Sequence, residues 1–133
     1  MAVKATPVFV QAPLLGMVRI STANTVRDGT SGALGTVVTA GADGARVELV
    51  RVVAVTTTTA GTVRLFLSIN GGTNKFLWAE LPIPANTVSA SNPGAAVEFT
   101  PTKALMMPAS AIMYASTEKG ETFDVHAHGG QLS

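Results

Sequence analysis

The chain has 133 residues, 47% of them hydrophobic and only 13% charged, with no cysteine and a formal net charge of +1. That length suits a single domain, and the absence of cysteine excludes a disulfide framework, a thiolate metal site and a cysteine nucleophile. No cluster of Lys and Arg supplies a footprint for nucleic acid, and no apolar run reaches bilayer length, so neither partner is expected.

A surface this poor in charge is either rich in Thr, Ser and Gly or partly hidden against partners, which makes self-association the working expectation. The charge is also uneven. Residues Met1 to Lys75 carry seven basic and three acidic side chains, whereas Phe76 to Ser133 carry two basic and five acidic ones. The opening Met-Ala-Val-Lys-Ala-Thr-Pro has no continuous apolar core of the signal-peptide kind, which predicts synthesis in the cytoplasm.

In chain order, Pro7 and Pro13 bracket the short apolar run Val8-Phe9-Val10. Proline fixes φ and removes a donor, so residues 1–12 are expected to form an extended arm whose Val8, Phe9 and Val10 add to a neighbour's sheet edge. The competing reading is an ordinary first strand of the same fold. Gly16 to Thr22 and Gly35 to Thr39 read as short strands separated by the polar, glycine-containing stretch Asn24 to Gly35. From Ala45 to Thr57, Val47, Leu49, Val53 and Val55 fall on one face with Val50 and Val52 opposite. Because Arg51 interrupts that pattern, a bend or bulge near it is predicted.

The clearest alternation runs from Thr62 to Ile69, where Val63, Leu65, Leu67 and Ile69 share the face expected to enter the core. Asn70-Gly71-Gly72 follows, and these residues accept the positive φ of a reversal, so Lys75 to Ile83 should return antiparallel. Pro82 and Pro84 end that strand, and Ala85 to Gly94 reads as an exposed crossover loop. Three more strands are expected at Ala95 to Thr100, Ala111 to Thr117 and Glu121 to His128, while Thr102 to Ala109 accepts either a helical turn or a strand. About eight short strands without a helical period predict an all-β, two-sheet antiparallel β-sandwich of jelly-roll or Greek-key type spanning residues 13–133.

Chemistry is sparse. Asp124-x-His126-x-His128 places three potential metal ligands on one strand face, yet any solvent face alternates polar groups this way while Phe123, Val125 and Ala127 fill the core. The glycines between Gly29 and Gly35 lack the Gly-Lys-Ser/Thr ending of a phosphate loop. No serine stands in a nucleophile elbow, and the carboxylates are scattered singly. No catalytic residue, metal site or cofactor is therefore assigned. Phe76 and Trp78 share a strand face that would suit sugar stacking, with core or interface filling as the plainer role.

The succession Gly61-Thr62-Val63-Arg64-Leu65-Phe66, Ile83-Pro84-Ala85, Met107-Pro108-Ala109, Ala115-Ser116-Thr117, Glu121-Thr122-Phe123 and Gly129-Gly130 resembles small structural proteins of tailed bacteriophages, capsid cement or decoration proteins among them. The resemblance covers the second half of the chain. It implies a β-sandwich component of the virion without enzymatic activity, docking between major capsid subunits and associating with further copies of itself, a trimer being one such arrangement. A tail or neck accessory subunit and a carbohydrate-binding module are the alternatives.

Overall fold

The computed structural model describes residues 10–132. Among these residues nine strands form two antiparallel sheets: β1 (Val10–Ile20), β2 (Gly35–Thr39), β3 (Ala45–Ala54), β4 (Gly61–Ser68), β5 (Phe76–Ile83), β6 (Ala96–Phe99), β7 (Leu105–Met107), β8 (Ile112–Thr117) and β9 (Phe123–Leu132). One sheet has the order β1-β9-β3-β6, with β7 also paired to β3, and the other has the order β2-β8-β4-β5. Strand pairing is nested. First pairs with last, β2 with β8, β3 with β6 and β7, and β4 with β5. Two sheets rolled from nested antiparallel pairs make a jelly roll. No helix among the described residues is long and apolar enough to cross a membrane.

The inward faces alternate along each strand as a half-buried pleat requires. Val47, Val50 and Val52 of β3 and Phe123, Val125 and Ala127 of β9 meet Val63 and Leu65 of β4 and Met113 and Ala115 of β8. The Asn-Gly-Gly reversal joins β4 to β5, with Gly71 and Gly72 at φ 73° and 89°. The Ser68 hydroxyl accepts from the Gly72 N–H at 2.9 Å and fixes the turn. Residues 84–95 carry the chain from the four-stranded sheet to the five-stranded one, as a crossover loop must.

Three expectations change and one open choice is decided. The first strand begins at Val10, not Gly16, and Val10 and Ala12 pair with Leu132 and Gln131 of β9, inside the segment expected to form an arm. Pro13 is tolerated there because β1 is an edge strand and needs no donor on its open side. Val8 and Phe9 lie outside the described residues. The bulge of β3 falls between Val47 and Leu49 rather than near Arg51. It leaves Glu48 as the extra residue and turns Leu49, Arg51 and Val53 outward while Val50 and Val52 go in. Ile69 lies past the end of β4 and is 71% exposed. Finally, the undecided segment around Leu105 is the short strand β7, paired with Ala45, Arg46 and Val47.

Both faces of β4 are buried, which its alternation alone does not announce. Arg64, Phe66 and Ser68 point away from the inter-sheet core and are still covered. The segment 21–34 acts as a strap over that outer side. Asn24 anchors it: its backbone N–H donates to the Thr117 carbonyl at 2.8 Å, and its side chain donates to the Ala33 carbonyl at 2.9 Å and accepts from the Val26 N–H at 3.0 Å. Further along, Arg27 pairs with Glu80 on β5, and Gly29 rests against Lys75 and the Phe66 ring.

Candidate interaction surface

The outer face of the β1-β9-β3-β6 sheet is the surface on which exposed apolar groups and ionisable groups meet. Register sets its rows. Leu15 of β1 stands opposite His128 of β9, which stands opposite Leu49 of β3. In the next row Met17 faces His126, His126 faces Arg51, and Arg51 faces Glu98 of β6. The third row holds Arg19, Asp124, Val53 and Ala96. Leu15 and Met17 are 57% and 60% exposed, so two large apolar side chains stand in solvent on one edge strand. Met106 of β7, opposite Arg46, adds a third.

Every charge among these rows has a partner within the face. Arg19 donates to both oxygens of Asp124, at 2.7 and 3.0 Å. Arg51 reaches Glu98 at 2.7 Å and Arg46 reaches Glu48 at 3.3 Å. Three cations against three anions leave the face formally neutral when His126 and His128 are neutral. The hydrogen bond from Arg19 is the main cause holding the Asp124 carboxyl below the usual carboxylate range, with partial desolvation opposing it. Such exposed pairs contribute little to stability. Their consequence is electrostatic: the face presents no unmatched charge.

The strand motif Asp124-x-His126-x-His128 does share one outward face. The fork of Arg19 nevertheless occupies both Asp124 oxygens, and among the described residues no three His, Cys, Asp or Glu side chains are grouped as metal ligands. Phe76 and Trp78 do not form a paired platform. A bulge in β5 separates their environments, so that Trp78 packs edge-on against Phe99 with ring centroids 5.2 Å apart while Phe76 is exposed. Phe76 lines an open cleft of about 550 Å³ with Asp28, Thr30 and Asn74. The Asp28 carboxylate is already committed to the Thr30 hydroxyl and N–H, at 2.6 and 3.1 Å.

The strap covers the one buried cation of the described residues, Arg64, which is 6% exposed. Its Nε lies 3.5 Å from a Glu80 oxygen, and neither Nε nor Nη1 has a hydrogen-bond partner. Directly across on β8, the buried Ser116 hydroxyl is also unpartnered. Glu80 is satisfied instead by Arg27, whose hydrogen bonds are the main cause lowering its carboxyl below the ordinary range. Replacing such a cation with an apolar side chain of similar length removes desolvated donors without stranding the carboxylate. Arg64→Met is therefore expected to be neutral or to raise stability by about 1 kcal/mol. Urea denaturation measures it; a clear loss of stability would mean that Arg64 has partners the geometry does not provide.

No family model and no curated protein matches this chain.

Proposed function

We propose that this chain is a non-enzymatic structural subunit that coats a larger assembly, as a cement or decoration protein binding between major capsid subunits on a tailed-phage head. The observation carrying this reading is the neutral outer sheet face on which Leu15 and Met17 stand exposed beside internally paired ions. Paired exposed apolar groups favour contact, and self-compensated charges lower the cost of desolvating that contact many times over a lattice. The jelly roll supports the reading by analogy, since viral capsid domains use that architecture, although a fold alone assigns no function. The resemblance of the Gly61 to Gly130 segment to phage structural proteins points the same way.

Purified heads that lack the chain provide the test. Added protein should co-sediment at a saturating, fixed ratio and raise the temperature at which heads release their contents. Heads that neither bind the chain nor gain heat resistance would overturn the cement role.

A further inference from the structure

We propose that Arg64 and Ser116 form a binding site for a small inorganic monoanion of the halide class, and that the bound ion clamps the strap of residues 21–34 onto the four-stranded sheet. The site lies on the opposite side of the sandwich from the face proposed to meet the head, so it stands or falls apart from the coat reading.

Unspent donors mark the place. Arg64 is 6% exposed and Ser116 1%, and register sets them directly opposite each other on β4 and β8, where facing Cβ atoms lie about 5 Å apart. Arg64 Nε and Nη1 and the Ser116 hydroxyl are buried with no hydrogen-bond partner among the described residues. Leaving such groups bare costs more than a typical hydrogen bond gains, so an acceptor shared between them is favoured. Room adjoins them. Ser116 lines a cleft of about 150 Å³ between the two ends of the strap, with Ser21 and Thr22 from one end and Leu34 and Gly35 from the other. Arg19 lines it too, but Asp124 holds that guanidinium.

Charge sets the class of ligand. Glu80 stands beside Arg64 on β5, yet its carboxylate already accepts from Arg27 Nε at 3.2 Å and stays 3.5 Å from Arg64 Nε. Two guanidiniums thus share one carboxylate. The strap's own carboxylate, Asp28, turns to Thr30 and lines the separate cleft beside Lys75. One positive charge is therefore left uncompensated beneath the strap, and a water molecule would satisfy its donors without cancelling it. A monoanion does both, whereas a dianion overshoots the charge and a bulky carboxylate exceeds the cleft. Arg64 and Ser116 are screened from solvent only while the strap covers them, so the ion binds the covered form and holds the strap down by mass action.

Urea denaturation of the full chain, with sodium gluconate exchanged for sodium bromide at constant ionic strength, tests the site. From none to about 100 mM bromide, the folded-to-unfolded ratio of the parent should rise at least about threefold relative to Arg64→Met, the factor for a dissociation constant of about 50 mM or tighter. In gluconate alone Arg64→Met should show the neutral or raised stability expected above. Ser116→Ala should fold, because the hydroxyl it removes bonds to nothing among the described residues, and its gain from bromide should be weaker than the parent's. Trypsin cleavage after Arg27 should slow with bromide in the parent and not in Arg64→Met. Crystals grown in bromide should show an anomalous peak between Arg64 and Ser116. A parent that gains no more than either variant overturns the site, as does a peak found only elsewhere. Cleavage after Arg27 at the same rate with and without bromide overturns the clamp.

Discussion

Gly129→Ala should destabilise the fold severely, the largest effect expected of any single added methyl group in this chain. Gly129 sits in β9 opposite Val47, where the β3 bulge draws the two backbones together. A Cβ built there overlaps the Arg46 carbonyl oxygen, with the carbonyl carbon at 2.8 Å and the Val47 Cα at 3.0 Å. Neither neighbour is a flexible side-chain end, so relief requires moving one strand away from the other. β9 lies between β1 and β3, and its displacement disturbs the five-stranded sheet on both sides. Strain against fixed backbone of this kind is expected to cost about 4 kcal/mol or more, a large part of a small domain's stability. Urea denaturation followed by circular dichroism measures the loss. A variant within about 1 kcal/mol of the parent would show that the β3-β9 pairing relaxes freely at the bulge.

Phe66→Ala is expected to destabilise the protein by about 4 kcal/mol, and by a different route. The ring is fully buried, but outside the inter-sheet cluster. It stands opposite Tyr114 on the outer side of the four-stranded sheet, under Gly29 of the strap. Truncation removes the apolar seat of segment 21–34 and leaves a cavity next to the unpartnered donors of Arg64. The same variant should therefore become susceptible to proteolysis between residues 24 and 34 before it loses its β spectrum. Truncating Phe123, buried on β9 within the main core, should lower stability without singling out that segment. If Phe66→Ala leaves the strap as protease-resistant as before, the hydrogen bonds of Asn24 alone hold it.

The contrast between these two sites shows what the residue pattern reveals. Gly35 to Thr39 and the Thr62 to Ile83 hairpin are legible because alternation and turn residues are local properties, and the alternation of Phe123, Val125 and Ala127 identifies the inward face of β9 in the same way. The position of the β3 bulge is not legible. Val47, Val50 and Val52 fit a kink at any of several residues, and the choice is made by pairing with β9, about eighty residues away. In sequence the strap is only a polar connection, because a covering loop satisfies its backbone through particular partners such as Thr117, and no composition rule announces those.

The interaction surface was visible only in fragments. Asp124, His126 and His128 read correctly as one outward row, but their neighbours are decided by register. Leu15 and Met17 come from residues more than a hundred positions earlier, and Leu49 and Arg51 turn outward only because of the bulge. Arg19, the residue that claims Asp124, carries no motif that would mark it. An outward Leu-x-Met-x-Arg on an edge strand is a usable signal once that strand is known to pair with β9.

Association rather than catalysis is the proposed work of this chain, and the molar mass of the untagged full chain by multi-angle light scattering at neutral pH tests it most directly. The expected result is a mass of two or more chains of 13.6 kDa each that persists on moderate dilution. A mass of one chain at every concentration, in a protein that also fails to bind heads, would contradict it.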